Sequence, residues 1–517
     1  MKNITKYLII VAGIVLGFAC VKEPTMSATE IEQRSLKAWI EKYHPELLEN
    51  YQEEGGYYVE ILDRGVQDSL PITGKDAWVD FTARDLQGNV CETRSWELAL
   101  QQDTYNNHTH YTPVFRFSGK DSHTLLEGSY LAIFNKLKIG DEEFEARYGT
   151  KLRLYLPSTV TSSNTGGTAD GGYEGQYELD GDKPAIVDMM VYGHITNPVA
   201  YEGNRVDSFA NINGGLCTEH KAEPKEDAES AEKSMRRRII RADSEEGEEE
   251  VDTRPLEFYD GRWHQPIDTL AQLYVNYAYS PARNTFDYNA IGVDTLMYPS
   301  ENGYDKGKIY GTSTLADIDR RINEALVERF GEGITYDEVL EADSLKTKAT
   351  ANVWYIGRFL DGYVFDTNID EVREIVFGDV GEAGEALSFE TKEPLENDYI
   401  LAWNYALPTL RRGQWATILT VSTYAYGISG QVGAHTSTTT GDTSAIDYAN
   451  YYNYMSYMNS MYGYGYGSMY NSGYYGYNPY YYGYNYVPSN TNTTTITTTA
   501  TEIPSYSPMI FQVFVEK

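Results

Sequence analysis

The chain is predicted to be an α+β protein of antiparallel hairpins and short helices, and three features of its 517 residues predict it. From Val353 to Asn368, Val353, Tyr355 and Gly357 alternate with Trp354 and Ile356, until Asp361-Gly362 turns the chain and Val364-Phe365 returns antiparallel. A short helical pattern then starts at Trp403, carries Leu407 and Leu410, and is closed by Arg411-Arg412-Gly413, ahead of a last alternating segment from Met509 to Val515. The hairpin pattern also occurs earlier and more weakly, from Ala77 through Gly88 to Thr93, where Phe81 and Cys91 keep the spacing of Tyr355 and Phe365. A chain of this length holds two or three domains, which suits a tandem.

Taken in order, residues 1–20 have the layout of a bacterial secretion signal: Lys2 and Lys6, an apolar run from Tyr7 to Phe18, then Ala19-Cys20. A cysteine in that place points to lipoprotein processing, with Cys20 acylated, although Leu16 stands one residue further back than the usual box has it. The run is short for a membrane span, and acyl chains contributing about 0.8 kcal/mol per buried methylene tether a protein firmly. An ordinary signal or a short membrane anchor is the rival reading. The expected location is the bacterial cell envelope, lipid-anchored at the outer membrane and facing periplasm or surface.

Residues 21–54 form a helical segment, opened by a capping box at Ser27 and Glu30, with Leu36, Trp39, Ile40 and Tyr43 on one face. Residues 55–200 hold the first copy, with strands at Gly56–Leu62, Ala77–Arg84, Val90–Thr93, Leu152–Ser158 and Pro184–Val191. His108-Thr109-His110 has ligand-like spacing, but no cysteine or carboxylate pattern joins it, so it reads as a surface loop. Residues 201–256 read as an acidic linker: Glu219 to Pro255 is rich in Glu, Lys, Arg, Ala and Ser, with Arg236-Arg237-Arg238 as a solvated or protease-sensitive site. Residues 257–345 connect, with strand-like alternation from Leu273 to Tyr279 of unassigned parentage. Thr314 to Phe330 there is a helix with Leu315, Ile318, Ile322 and Leu326 on one face.

Residues 346–517 hold the second copy, interrupted by an insertion over 431–501. Tyr448 to Tyr486 is nearly half tyrosine and is flanked by threonine-rich runs at Thr436–Thr440 and Thr491–Thr501. Without periodic aliphatic residues the insertion builds no core of its own. Tyrosine offers flat, partly polar contact area at low side-chain entropy cost, which suits contact with a glycan or a protein.

A formal net charge of -34 argues against nucleic acid and against attraction to anionic headgroups. With Cys20 modified, Cys91 and Cys217 remain, and the residues leave open a bridge between them or two unpaired thiols. No arrangement of nucleophile, base and acid stands out. No cofactor or metal is expected.

Read together, Val353–Asn368, Ile400–Trp403, Tyr424–Gly427, Ile503-Pro504 and Met509–Phe511 resemble the FKBP family of peptidyl-prolyl isomerases. The resemblance implies two FKBP-like domains, each an antiparallel β-sheet wrapped around a short α-helix with an apolar pocket between. Carried over by position, Tyr355, Phe365, Trp403, Tyr426 and Phe511 line that pocket with Ile400 and Ile503. Trp403 is the implied floor and Asp366 the polar residue beside it. Tyr399 stands where the family is usually aliphatic, and Gln431 stands near a position often held by histidine. In the first copy Cys91, Glu92 and Ser129 replace Phe365, Asp366 and Trp403, which implies a non-catalytic domain.

The implied activity is rotation of X-Pro bonds in proline-containing polypeptide clients. The barrier is roughly 18–20 kcal/mol, and the twisted amide is less polar than the planar one, so an apolar, water-poor site favours the transition state. In such a site the Tyr426 hydroxyl is placed to hold a client carbonyl, and Asp366 to orient a donor or meet the carbonyl carbon. The second reading is a non-catalytic surface lipoprotein in which both domains are scaffolds and the tyrosine-rich loop makes the contact.

Overall fold

The strands bury their inward residues, as at Val79 and Phe81 in one sheet, while the central strand of the other is covered on both faces, with Val353, Trp354, Ile356 and Arg358 all buried. The computed structural model describes residues 27–116, 126–161, 184–217, 259–288, 310–440 and 493–517, apart from short stretches inside those ranges. The expectations on the signal and Cys20, on Glu219–Pro255 and on Tyr448–Tyr486 lie outside the described residues.

The first copy opens with helix α1 (Ala28–Tyr43), whose capping box is made as the sequence predicts: Ser27 Oγ accepts from the Glu30 N–H and Glu30 accepts from the Ser27 N–H. Strands β1 (Tyr57–Arg64), β2 (Asp76–Asp85) and β3 (Val90–Thr93) follow, then helices α2 (Trp96–Gln101) and α3 (Glu127–Phe134), then β4 (Thr150–Leu156) and β5 (Ala185–Ile195). The strands lie in the order β1-β4-β5-β2-β3, antiparallel throughout, with Tyr51–Gln52 beside β1 and Val114–Arg116 beside β2. Helix α3 is buried along nearly its whole length against β4 and β5.

The second copy repeats this plan. Helix α4 (Pro198–Ile212) leads, β6 (Leu273–Asn276) and an added helix α5 (Leu315–Phe330) follow, then β7 (Thr350–Phe359), β8 (Val364–Thr367), α6 (Asp370–Phe377), α7 (Leu401–Ala406), β9 (Trp415–Thr420) and β10 (Met509–Val515). The order β6-β9-β10-β7-β8, with Leu387–Glu390 beside β7, is that of the first sheet strand for strand. The bulges also coincide: the register shifts between Ala83 and Arg84 in β2 and between Gly357 and Arg358 in β7. The fold is thus α+β, two antiparallel sheets each with a short helix packed on its inner face.

Several expectations are corrected. The segment assigned to an acidic linker from residue 201 onward is helical to Ile212, because Val206, Phe209 and Ala210 are fully buried in the second core. The strand of unassigned parentage, Leu273–Asn276, is the edge strand of the second sheet, paired with β9.

The counterpart of α1 is α4 and not α5. Glu32 and Glu202 hold the same place after the N-caps Ser27 and Asn197. Each carboxylate accepts from the N–H and Oγ of the serine, Ser158 or Ser422, that opens the 3-10 turn after β4 or β9. Helix α5 instead covers the outer face of the second sheet. There Phe330 packs on Trp354 and Phe514, and the fully buried Arg358 reaches Asp319 at 2.6 Å. Cys91 and Cys217, both half-buried, form no disulfide with one another.

The loop read as surface, His108-Thr109-His110, is an interface between the copies. His110 is buried, 2.7 Å from Asp361 Oδ2, and its ring stacks on Tyr363 at 4.3 Å and Phe359 at 5.1 Å. His108 stacks on Phe377 at 4.1 Å, and the Tyr363 hydroxyl donates to the Asn107 carbonyl at 2.6 Å.

Candidate functional site

The β7–β8 hairpin supplies three of the candidate residues. Phe365 can lie across β7 only because residue 357 is glycine: a Cβ there would come within 2.6 Å of the Phe365 ring. The first copy has alanine at this register position, Ala83, and the small Cys91 in place of the ring. Its pair of residues is the opposite packing solution.

Trp403, in the first turn of α7 after the N-cap Ile400, meets Tyr355 edge-on at 4.9 Å and Phe511 of β10 at 5.4 Å. Phe511 meets Phe365 edge-on at 6.0 Å, and Phe365 meets Tyr426 at 5.9 Å. Edge-to-face pairs contribute about 0.5–1.5 kcal/mol each beyond the area they bury, so this chain of rings fixes its members relative to one another.

Phe365, Trp403, Ile503 and Phe511 are buried and form the floor. Tyr355, Asp366, Tyr399, Ile400 and Tyr426 are half-buried and form the rim. Tyr399 packs on Phe389 at 5.4 Å, and its hydroxyl donates to the Ser388 carbonyl. Ile503 is held by Gln431, with which it exchanges both backbone hydrogen bonds at 2.8 Å. Every candidate residue of the second copy therefore falls in one cluster. Cys20 lies outside the described residues.

The polar side of the cluster is Asp366, whose Oδ2 accepts from the Tyr355 hydroxyl at 2.7 Å. Burial pushes the Asp366 carboxyl up, opposed by the Tyr355 hydroxyl, the Thr367 N–H and the Arg373 guanidinium. The Tyr355 and Tyr426 hydroxyls are pushed up by burial and then by the Asp366 charge, so both stay protonated donors. The floor holds one unused donor: Trp403 Nε1 is buried without a hydrogen-bond partner among the described residues.

Two concavities lie elsewhere. One of about 300 Å³ is lined by Tyr51, Tyr57, Leu131 and Lys136, and one of about 100 Å³ by Tyr259, Tyr279, Ile334 and Trp415. Neither borders the ring cluster. The larger is edged by charges of both signs, Glu53, Glu54, Lys136 and Lys138.

In the first copy the corresponding site carries charge. Ser129 stands at the helix position of Trp403, fully buried, its Oγ without a partner among the described residues. Arg94 places its guanidinium 5.8 Å from the Phe81 ring, 3.7 Å from Glu92 and 2.8 Å from Glu502 of the second copy. Sequence reasoning missed Arg94 and His110, because neither belongs to a periodic pattern and both act on residues far along the chain.

No family model matches the chain, and no curated protein matches it. Among solved structures, the chain is similar to the three FKBP domains of wheat FKBP73, at 12% identity and a TM-score of 0.19, over 90% of this chain and 95% of that one. It is similar to a peptidyl-prolyl cis-trans isomerase of Pseudomonas syringae pv. tomato, at 12% identity and a TM-score of 0.15, over 34% of this chain and 66% of that one. It is similar as well to AtFKBP13, at 13% identity and a TM-score of 0.20, over 28% of this chain and 98% of that one.

Proposed function

We propose that the second copy is a peptidyl-prolyl cis-trans isomerase acting on X-Pro bonds of polypeptide clients, within a lipoprotein of the bacterial cell envelope anchored through Cys20. The observation that carries the reading is the cluster itself: an apolar floor of Trp403, Phe365, Phe511 and Ile503 under a rim that holds two tyrosine hydroxyls and one carboxyl. Rotation about X-Pro breaks no covalent bond, so a site without nucleophile or general base suffices.

A prolyl ring laid on Trp403 leaves water, and the planar amide, more polar than the twisted one, loses more solvation than the transition state does. The Tyr426 hydroxyl, which has no hydrogen-bond partner among the described residues, is the donor for the client carbonyl. The Tyr355 hydroxyl fixes the Asp366 carboxyl at the edge of the same space.

The test is isomerisation of an Ala-Leu-Pro-Phe peptide by the chain from Cys20 onward. Phe365→Ala and Asp366→Ala are each expected to lower kcat/KM by about tenfold or more, with the variants shown folded. Full activity in both variants would remove the chemistry from this cluster. A folded wild-type chain inactive on every prolyl peptide would favour the binding-protein reading, in which the tyrosine-rich insertion makes the contact. That reading draws on one observation, the threonine ladder pairing His435–Thr440 with Thr493–Thr498, which carries the ends of the insertion out from the Gln431–Ile503 contact.

A further inference from the structure

We propose that Arg94 of the first copy is a positioning residue for the client site of the second, a role that rests on the isomerase reading above. The residues that link them are Thr501 to Ser507, which run between the two copies and touch each in turn. Glu502 accepts from the Arg94 guanidinium at 2.8 Å, and both side chains are largely withdrawn from water, at 18% and 5% exposure. The next residue, Ile503, is buried in the second core, the same core that holds the rings of Phe365, Trp403 and Phe511.

Four further contacts clamp the same stretch. A Cβ on Gly430 would come within 2.0 Å of the Ile503 carbonyl oxygen, so residues 430–431 and 503–504 pack backbone to backbone. Ser505 Oγ donates to the Ser429 carbonyl, and the Tyr506 N–H to that of Ile428. Tyr506 is held in the left-handed region, at φ 51°, with its ring against the Trp78, Tyr192 and Ile195 cluster of the first sheet. A non-glycine residue keeps that backbone only where its surroundings over-determine it.

Arg94 is thus anchored in the first copy, just past Glu92, the counterpart of Asp366, and pulls on the residue before Ile503. Ile503 in the floor and the root of the threonine ladder hang from that point. The first copy has lost the rings of a prolyl site and has put a guanidinium there that sets the geometry of its neighbour's site. Arg94 touches no client atom; it acts through Glu502 and Ile503.

The test uses the full chain from Cys20 onward with Glu502→Gln, Arg94→Ala and Arg94→Lys. Glu502→Gln is the gentler break, because Arg94 keeps Glu92, whereas Arg94→Ala leaves two carboxylates without their cation. Amide hydrogen exchange over residues 428–431 and 501–507 is expected to speed up about tenfold in Glu502→Gln and Arg94→Ala, with β7 and β10 unchanged. KM for the Ala-Leu-Pro-Phe peptide is expected to rise about three- to tenfold with kcat within about twofold, and Arg94→Lys to recover most of that loss. Unchanged exchange in both segments overturns the proposal whether or not the chain isomerises. A fall in kcat at constant KM, together with a lower Tm, overturns it too, as a general loss of fold. If exchange responds as stated while the wild-type chain shows no isomerase activity, the tether stands and the isomerase reading is what fails.

Discussion

Burial on the outer face of the first sheet pushes the Asp80 carboxyl up to about 6, against the opposing pull of the Arg94 guanidinium, the Phe81 N–H and the Tyr192 hydroxyl. The native state therefore holds this proton where the unfolded chain releases it. Stability from Asp80 is fully present below about pH 4, the ordinary aspartate range, and is lost as pH rises through about 6. Asp80→Asn is expected to raise unfolding stability at pH 7 by about 1–3 kcal/mol and to leave it unchanged at pH 4, read from urea unfolding at the two pH values. At this scale the ring cluster was legible through the family resemblance, which carries Tyr355, Phe365, Trp403 and Phe511 over by position, whereas the residues alone mark each ring only as core. The bond from the Tyr355 hydroxyl to Asp366 was not, since a register bulge decides which residues stand opposite. Arg94 was invisible for another reason: its partner is Glu502, and a single charge carries no periodicity to read.

Among the elements, the paired use of Glu32 in α1 and Glu202 in α4 makes each leading helix the cap of a 3-10 turn beyond the sheet. Ser422 is fully buried, so Glu202→Ala leaves its N–H without an acceptor and is expected to cost about 1–3 kcal/mol, whereas Ser158 is half-buried and Glu32→Ala should cost less. Glu202→Gln keeps an acceptor and should fall between Glu202→Ala and wild type; equal unfolding midpoints for all three would show that the cap contributes nothing. The capping box of α1 announced that helix from Ser27 and Glu30 alone. Helix α4 has a weaker start, Asn197-Pro198 without the box, and its buried face of Val206, Phe209 and Ala210 is short and adjoins a long charged segment that pulls the composition toward linker. Strand β6 was legible as a strand and not as part of the second sheet, since alternation fixes which residues face inward but not which neighbour they pair with.

At the scale of the molecule the two copies are joined by polar contacts that neither copy can satisfy alone: His110 to Asp361, Arg94 to Glu502, and the Tyr363 hydroxyl to the Asn107 carbonyl. A fragment of residues 310–517 lacks β6 and α4, which bares the edge of β9 and removes Phe209, Trp263 and Val275 from the second core. Such a fragment is expected to show no cooperative thermal transition, and the chain from Cys20 onward to unfold in one transition with equal calorimetric and van't Hoff enthalpies. Two separated transitions in the whole chain would mean that the interface is too weak to couple the copies. Nothing in the sequence marks this interface, because His110 lies 251 positions from its partner and reads as a loop residue on its own. The threonine ladder has a different bearing on how such a chain can change. Because Thr440 and Thr493 are already paired across it, residues 441–492 leave and rejoin the protein at the same spot, and any length of chain can be added or taken away there without moving another strand. The ladder makes the tyrosine-rich stretch an interchangeable graft, so its composition can drift while the sheets and the ring cluster stay as they are.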